Sequence, residues 1–205
     1  MRKIALIGCG GINSWAIKDL HKLVDDYDKK ELIYVKLFDN DEVEEKNLLR
    51  SNQNFEVKDL MLQKAEVLAK RYKFDFNNVF IDESNIDLLT NFDDIIVGVD
   101  NNKVRKLLYE FALKNNKYLL DLRAQGTQMA FYVIDHDKDM DYYTKKFFNN
   151  EELMNRKGGC QLQRDVENDH LENATRIIAH FGMVGIYFKH MRGEEVSTKE
   201  WKFVY

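Results

Sequence analysis

Near the amino end the sequence reads Gly8-Cys9-Gly10-Gly11-Ile12-Asn13-Ser14. Glycines at that density let a backbone approach an anion closely and turn unpaired N–H groups toward it. Asn13 stands at the third glycine position of G-x-G-x-x-G. A dinucleotide fingerprint, a mononucleotide turn and a merely structural tight turn all fit that string. Asp39 is the second candidate, because an acid ending a strand can accept hydrogen bonds from both hydroxyls of a ribose. It lies farther from Gly8 than the usual ~20 residues, and the charged insert Val24 to Leu32 accounts for the excess. Asp41, Asp100 and Asn101 add polar groups after apolar runs.

These groups need elements to position them. Ile4 to Ile7 is a continuous apolar run, as in a strand buried on both faces of a parallel sheet, ending at Gly8. Ile12, Trp15, Ala16, Leu20, Leu23 and Val24 then fall on one helical face. Leu32 to Phe38 reads as the second strand, followed by a polar loop with Asn47 and Arg50. Leu60, Met61, Ala65, Leu68, Ala69 and Tyr72 mark the second helix, with a short strand at Val79 to Ile81. Asp94 to Val99 is the next strand, and Val104, Leu107, Leu108, Phe111 and Ala112 form the stripe of the helix after it. Tyr118 to Leu122 and Met129 to Ile134 read as strands, and 135–159 as a long crossover. Leu171 to Phe188 has the spacing of a packing helix, and Trp201 to Tyr205 of a closing strand. The alternation predicts an α/β fold, a Rossmann-like doubly wound, mostly parallel sheet with flanking helices. Ligands in that architecture bind at the carboxyl ends of the strands, where Asp39, Asp41, Asp100 and Asn101 fall.

A length of 205 residues with 44% apolar content fits one globular domain over 1–205, with a core to about 134, a crossover over 135–165 and a terminal helix and strand over 166–205. The net charge of −4 disfavours nucleic acid as the main partner. No apolar run approaches the ~18–20 residues of a membrane span, and MRKIALIGCGG breaks too early for a signal peptide, so a cytoplasmic location is expected. Two cysteines, Cys9 and Cys160, cannot build a disulfide framework or a four-cysteine metal site. Proline is absent and Asn and Lys are abundant, a bias that points to an AT-rich genome.

The longer string is more specific: Asp39-x-Asp41-x-Val43-x3-Asn47-Leu48-x-Arg50, then Lys64-Ala65-Glu66, then Val99-Asp100-Asn101-x3-Arg105, then Gly126. Together these resemble the ThiF/MoeB family, the adenylating core shared with ubiquitin-activating enzymes, over about residues 3 to 130. The resemblance implies ATP and Mg2+ as cofactors and adenylation of the C-terminal glycine of a small ubiquitin-like or sulfur-carrier protein, or a peptide, by a homodimer. It places phosphate on Gly8, Gly10 and Gly11 and ribose on Asp39 beside Asp41. Asn47, Arg50 and Lys64 correspond to the phosphate-contacting residues, and Asp100, followed by Asn101, to the magnesium-associated acid. Arg105 matches an arginine of structural or supporting role. The chemistry agrees, since an ionised carboxylate attacking an anionic α-phosphate needs cations rather than a general base.

Some departures are visible. Ser51 stands where many relatives have Gln. The chain also begins at the first strand, without the segment from which relatives supply an arginine across a dimer interface. Cys160, in Lys157-Gly158-Gly159-Cys160-Gln161, is either a thioester- or persulfide-forming residue, its pKa lowered by nearby cations, or a passive buried thiol. Cys9 reads as a packing residue. His170, His180 and His190 recur every ten residues, off the i, i+4 spacing of a helical metal face, and read as a solvated helix surface. Tyr142, Tyr143, Phe147 and Phe148 either dock a partner's tail or pack over the sheet. An NAD-dependent oxidoreductase would use the glycine turn and Asp39 but leaves Arg50, Lys64 and Asp100 without a role. A catalytically inactive nucleotide-binding interaction module is the third reading. The C-x-x-C pairs that hold structural zinc in relatives are missing, so no structural zinc is expected; elemental analysis of the purified protein should find only trace zinc, and a stoichiometric amount would contradict this reading.

Overall fold

The computed structural model describes residues 1–27, 32–48, 53–125, 128–135, 174–194, 196 and 200–204. In chain order the elements are β1 (Arg2–Ile7), α1 (Asn13–Tyr27), β2 (Ile33–Phe38), α2 (Glu45–Leu48), α3 (Lys64–Tyr72) and β3 (Asp75–Asn77). Then come β4 (Asp94–Val97), α4 (Asn102–Lys114), β5 (Tyr118–Gln125) and β6 (Gln128–Ile134). A last helical stretch runs through α5 (Ala174–His180), a π-helical segment (Phe181–Tyr187) and α6 (Phe188–Met191), before β7 (Glu200–Val204).

These strands form a seven-stranded sheet in the order β3-β2-β1-β4-β5-β6-β7. The pairs among β1 to β5 are parallel, and β6 runs antiparallel to both β5 and β7. The chain winds outward from β1 through β2 to β3 and returns to β4 on the other side of β1. The winding direction therefore reverses between β1 and β4, which opens a crevice at their carboxyl ends. This is the expected Rossmann-like, doubly wound α/β architecture.

Alternation along the strands feeds two apolar layers. Ile4 and Leu6 of β1 face a core shared with Ala16 and Leu20 of α1, Leu68 of α3 and Ile178 of α5. Ala5 and Ile7 face the other core, with Val104, Leu108 and Tyr109 of α4. The π-helical segment lies close over β5, where a Cβ at Gly182 would come within 2.4 Å of Leu122. Among the described residues no helix is long and apolar enough to cross a membrane.

Local expectations differ in three places. Helix α3 begins at Lys64, not at Leu60, because Met61 adopts a left-handed φ of 64° in the turn that precedes it. The edge strand pairs at Asp75–Asn77 with Lys36 to Phe38, so Val79 and Ile81 follow it. His190 is not solvated; its ring stacks on Tyr118 at 3.6 Å between centroids. His170 and the aromatic cluster at 142–148 lie outside the described residues.

His190 belongs to a buried polar knot at the amino edge of the sheet. Asp94, at the start of β4, is 1% exposed and receives Arg2 Nε at 2.6 Å, Arg2 Nη2 at 2.8 Å and the Tyr187 hydroxyl at 2.5 Å. Burial pushes the Asp94 carboxyl upward, but the adjacent His190 imidazole and the hydrogen-bonded Arg2 guanidinium outweigh it and hold the pKa below the ordinary aspartate value. A depressed carboxyl contributes stability that is complete above its unfolded pKa and is lost as pH falls through the folded one. We expect Asp94→Ala to cost about 3 kcal/mol, the low end for breaking a buried pair because Arg2 keeps access to water. Urea denaturation at pH 7 should show that loss, and the difference from the native chain should shrink on acidification below the ordinary aspartate range.

Candidate nucleotide site

The turn after β1 is built from glycine geometry and one amide. Gly8 has a φ of +81°, and a Cβ there would stand 2.8 Å from Val99 Cγ1. Asn13 is fully buried at the start of α1, and its Nδ2 donates to the carbonyls of Ile7 at 3.0 Å and Gly8 at 2.9 Å. Room for that side chain comes from Gly98, where an added Cβ would lie 2.5 Å from Asn13 Cγ. The third glycine of the fingerprint has thus moved to the neighbouring strand end. Gly98 belongs to none of the sequence motifs, and its signal is a glycine at the end of an apolar strand, the usual mark of close backbone approach. A Cβ at Gly10 would meet nothing within 4 Å, so the turn faces open space at that point.

Asp39 ties the second strand to this turn. Its Oδ2 accepts from Cys9 N at 2.5 Å and its Oδ1 from Asp41 N at 2.7 Å. Burial raises the carboxyl pKa, while those two backbone hydrogen bonds oppose the rise. Each oxygen retains further acceptor capacity toward a hydroxyl. Cys9 is buried, which pushes its thiol well up and suits packing rather than nucleophilic attack.

Lys64 opens α3 and is only 6% exposed, with Nζ 3.0 Å from Asp41 Oδ2 and its backbone N donating to the Asp41 carbonyl at 2.8 Å. Asp41 itself is largely exposed and holds this buried ammonium at the carboxyl edge. Asn47 is buried at α2, where its Oδ1 accepts from Glu44 N at 2.8 Å and caps the short helix. Asp100 is exposed after β4. Asn101 caps α4, its Oδ1 accepting from Lys103 N at 2.9 Å and Val104 N at 3.3 Å. Arg105 is buried against Asp121 and the carbonyls of Val99 and Leu122, which makes it the structural brace between the exit of β4 and the middle of β5.

The described site thus gathers Gly8, Gly10, Gly11, Asp39, Asp41 and Lys64 at the ends of β1 and β2, with Asp100 and Asn101 at the end of β4. Arg50 and Cys160 lie outside the described residues. Among the described residues no group of three His, Cys, Asp or Glu side chains is arranged for a metal ion. Asp100, an exposed carboxylate after β4, is of a kind that fits magnesium carried in by a nucleotide, which needs only one or two protein carboxylates. An open cleft at the opposite, amino edge is bordered by Arg2, Asp94, Lys117 and His190 and includes none of these residues.

A glycine turn at a topological switch point defines the class, a doubly wound α/β domain of Rossmann-like form. The sequence matches the ThiF family over residues 1–181, and the chain belongs to that family. No protein of curated function matches it. The fold is similar to Escherichia coli MccB solved with MccA-N7isoASN, at a TM-score of 0.73 and 17% identity, covering 100% of this chain and 62% of that one. Similar values hold for PaaA, at 0.69 and 14% with 61% of that chain covered, and for E. coli MccB with ATP, at 0.68 and 17% with 60% covered. The chain therefore spans less than two thirds of these structures, and the likeness is one of fold.

The contact between Gly98 and Asn13 is directly testable. Gly98→Ala should destabilise the protein by about 2 kcal/mol, typical of overpacking in a tight core. Adding Asn13→Gly should recover part of that loss, with a favourable coupling of about 1 kcal/mol in a double-mutant cycle. Strictly additive losses in chemical denaturation would show that the two residues do not share this space.

Proposed function

We propose that the chain catalyses ATP-dependent adenylation of the C-terminal carboxylate of a small ubiquitin-like or sulfur-carrier protein, or of a peptide, with release of pyrophosphate. The observation that carries this reading is Lys64, a nearly buried ammonium held at the carboxyl edge between Asp41 and the glycine turn. A hydride-transfer enzyme gives that cation no task. Membership of the ThiF family supports the reading, as do relatives of similar fold solved with ATP and with MccA.

In this reading a carboxylate oxygen of the acceptor bonds to the α-phosphorus, the bond from that phosphorus to the α–β bridging oxygen breaks, and pyrophosphate carries away the electron pair. The acceptor is already ionised near pH 7, so the site needs no base. Its work is positioning and charge stabilisation. The backbone of Gly8, Gly10 and Gly11 approaches the phosphates, and Asp39 accepts from the ribose hydroxyls. Lys64 and Arg50 offset the meeting of two anions, with Asn47 donating to phosphate oxygens. Asp100, next to Asn101, would hold Mg2+, which supplies further charge neutralisation on the phosphates. Cys160 is the candidate to attack the acyl carbon afterwards, its thiolate displacing AMP to leave a thioester. A homodimer is part of the same proposal.

Exchange of labelled pyrophosphate into ATP, driven by a carrier protein with a free C-terminal glycine, tests the assignment. Arg50→Ala and Asp100→Ala should each lower the rate about 100-fold, the scale of losing one transition-state charge partner. Cys160→Ser should leave exchange intact while abolishing any thioester. Equal exchange with the amidated carrier would contradict acyl adenylation, and an unchanged rate in Arg50→Ala would remove that residue from the site.

A further inference from the structure

Outside every motif in the sequence lies a polar bridge centred on Asn54. Its backbone N donates to Ser14 Oγ at 3.1 Å, and its Nδ2 donates to the Ser14 carbonyl and to the Tyr72 hydroxyl, each at 2.9 Å. The Asn54 carbonyl accepts from Arg71 Nη1 at 2.6 Å, while Arg71 Nη2 reaches Asp59 Oδ2 at 2.5 Å. Asp59 is 5% exposed and also receives Glu56 N at 2.7 Å. One residue earlier, Gln53 N donates to the Asn47 carbonyl at 3.2 Å.

The partners of Asn54 lead to two parts of the candidate site. Ser14 is fully buried in the first turn of α1, directly after Asn13 of the glycine turn. Arg71 and Tyr72 end α3, whose first residue is Lys64. A nine-residue helix is close to rigid, so fixing its last turn against α1 also fixes Lys64 relative to the glycine turn. We infer that Asn54, braced by Arg71 and Asp59, is a positioning residue that sets Lys64 against the glycine turn. The inference rests on the adenylation reading, because it presumes that Lys64 meets phosphates.

Under the adenylation reading Lys64 meets the phosphate chain, so the bridge acts on the triphosphate of ATP more than on the single phosphate of AMP or on the nucleoside. Its signature is the ratio of affinities for ATP and AMP, which a general loss of folded protein leaves unchanged. Calorimetric titration of the full chain with Mg–ATP and with AMP should show Arg71→Met and Asn54→Leu weakening ATP about tenfold, the scale of a lost hydrogen bond to a charged group, while AMP changes less than about twofold. Arg71→Lys, which keeps the cation for Asp59, should recover most of the ratio. Tyr72→Phe removes a single hydroxyl and serves if the larger changes prevent folding; it should shift the ratio about threefold in the same direction. Equal weakening of both nucleotides, or none of either in the folded variants, overturns the inference while leaving ATP binding by the native chain untouched. A native chain that binds neither nucleotide contradicts the adenylation reading itself and the inference with it.

Discussion

Everything at the carboxyl edge depends on how closely the end of β1 can approach the end of β4. Asn13 reaches back from α1 to the Ile7 and Gly8 carbonyls, and it can do so only because residue 98 has no side chain. That contact fixes the direction in which α1 leaves the sheet. It also leaves Gly10 facing open space and holds Cys9 N where Asp39 can accept from it. From Asp39 the order passes to Asp41, and from Asp41 to the buried ammonium of Lys64.

The two edges of the sheet spend their polar groups differently. At the amino edge Asp94 is surrounded by Arg2, Tyr187 and His190, which fixes the last helix to the first strand. At the carboxyl edge Asp39 is half-buried and satisfied mainly by backbone N–H groups, and its pKa rises. A half-buried carboxylate without a dedicated cation costs stability and leaves acceptor capacity for a ligand. Stability gathered at one edge offsets strain kept at the other, the pattern expected when function violates local rules of folding.

Much of this was legible in the sequence, for identifiable reasons. Ile4 to Ile7 is a strand flanked on both sides, so an unbroken apolar run could mean little else. The stripes of α1 and α4 were equally plain, since one face of each meets the sheet. Met61 was not legible, because apolar spacing says nothing about a residue that turns to positive φ and stands 80% exposed. Edge strand β3 was misplaced because pairing with Lys36 to Phe38, not local hydrophobicity, decides where it lies. The environment of His190 depends on Asp94 and Tyr118, remote in sequence, and the bridge at Asn54 depends on Ser14 and Arg71. Gly8 and Asp39 stand out from the strand, turn and helix around them, and Lys64 from a family resemblance. Gly98 and Asn54 act only through partners that no local string displays.

The central claim is that this edge receives ATP with magnesium rather than a dinucleotide. Parallel calorimetric titrations with Mg–ATP and with NAD, on the native chain and on Asp100→Ala, put it to the most direct test. The account predicts magnesium-dependent ATP binding that Asp100→Ala weakens, with no comparable heat from NAD. NAD binding that is indifferent to Asp100, without binding of ATP, would contradict it and leave only the fold in common with the adenylating enzymes.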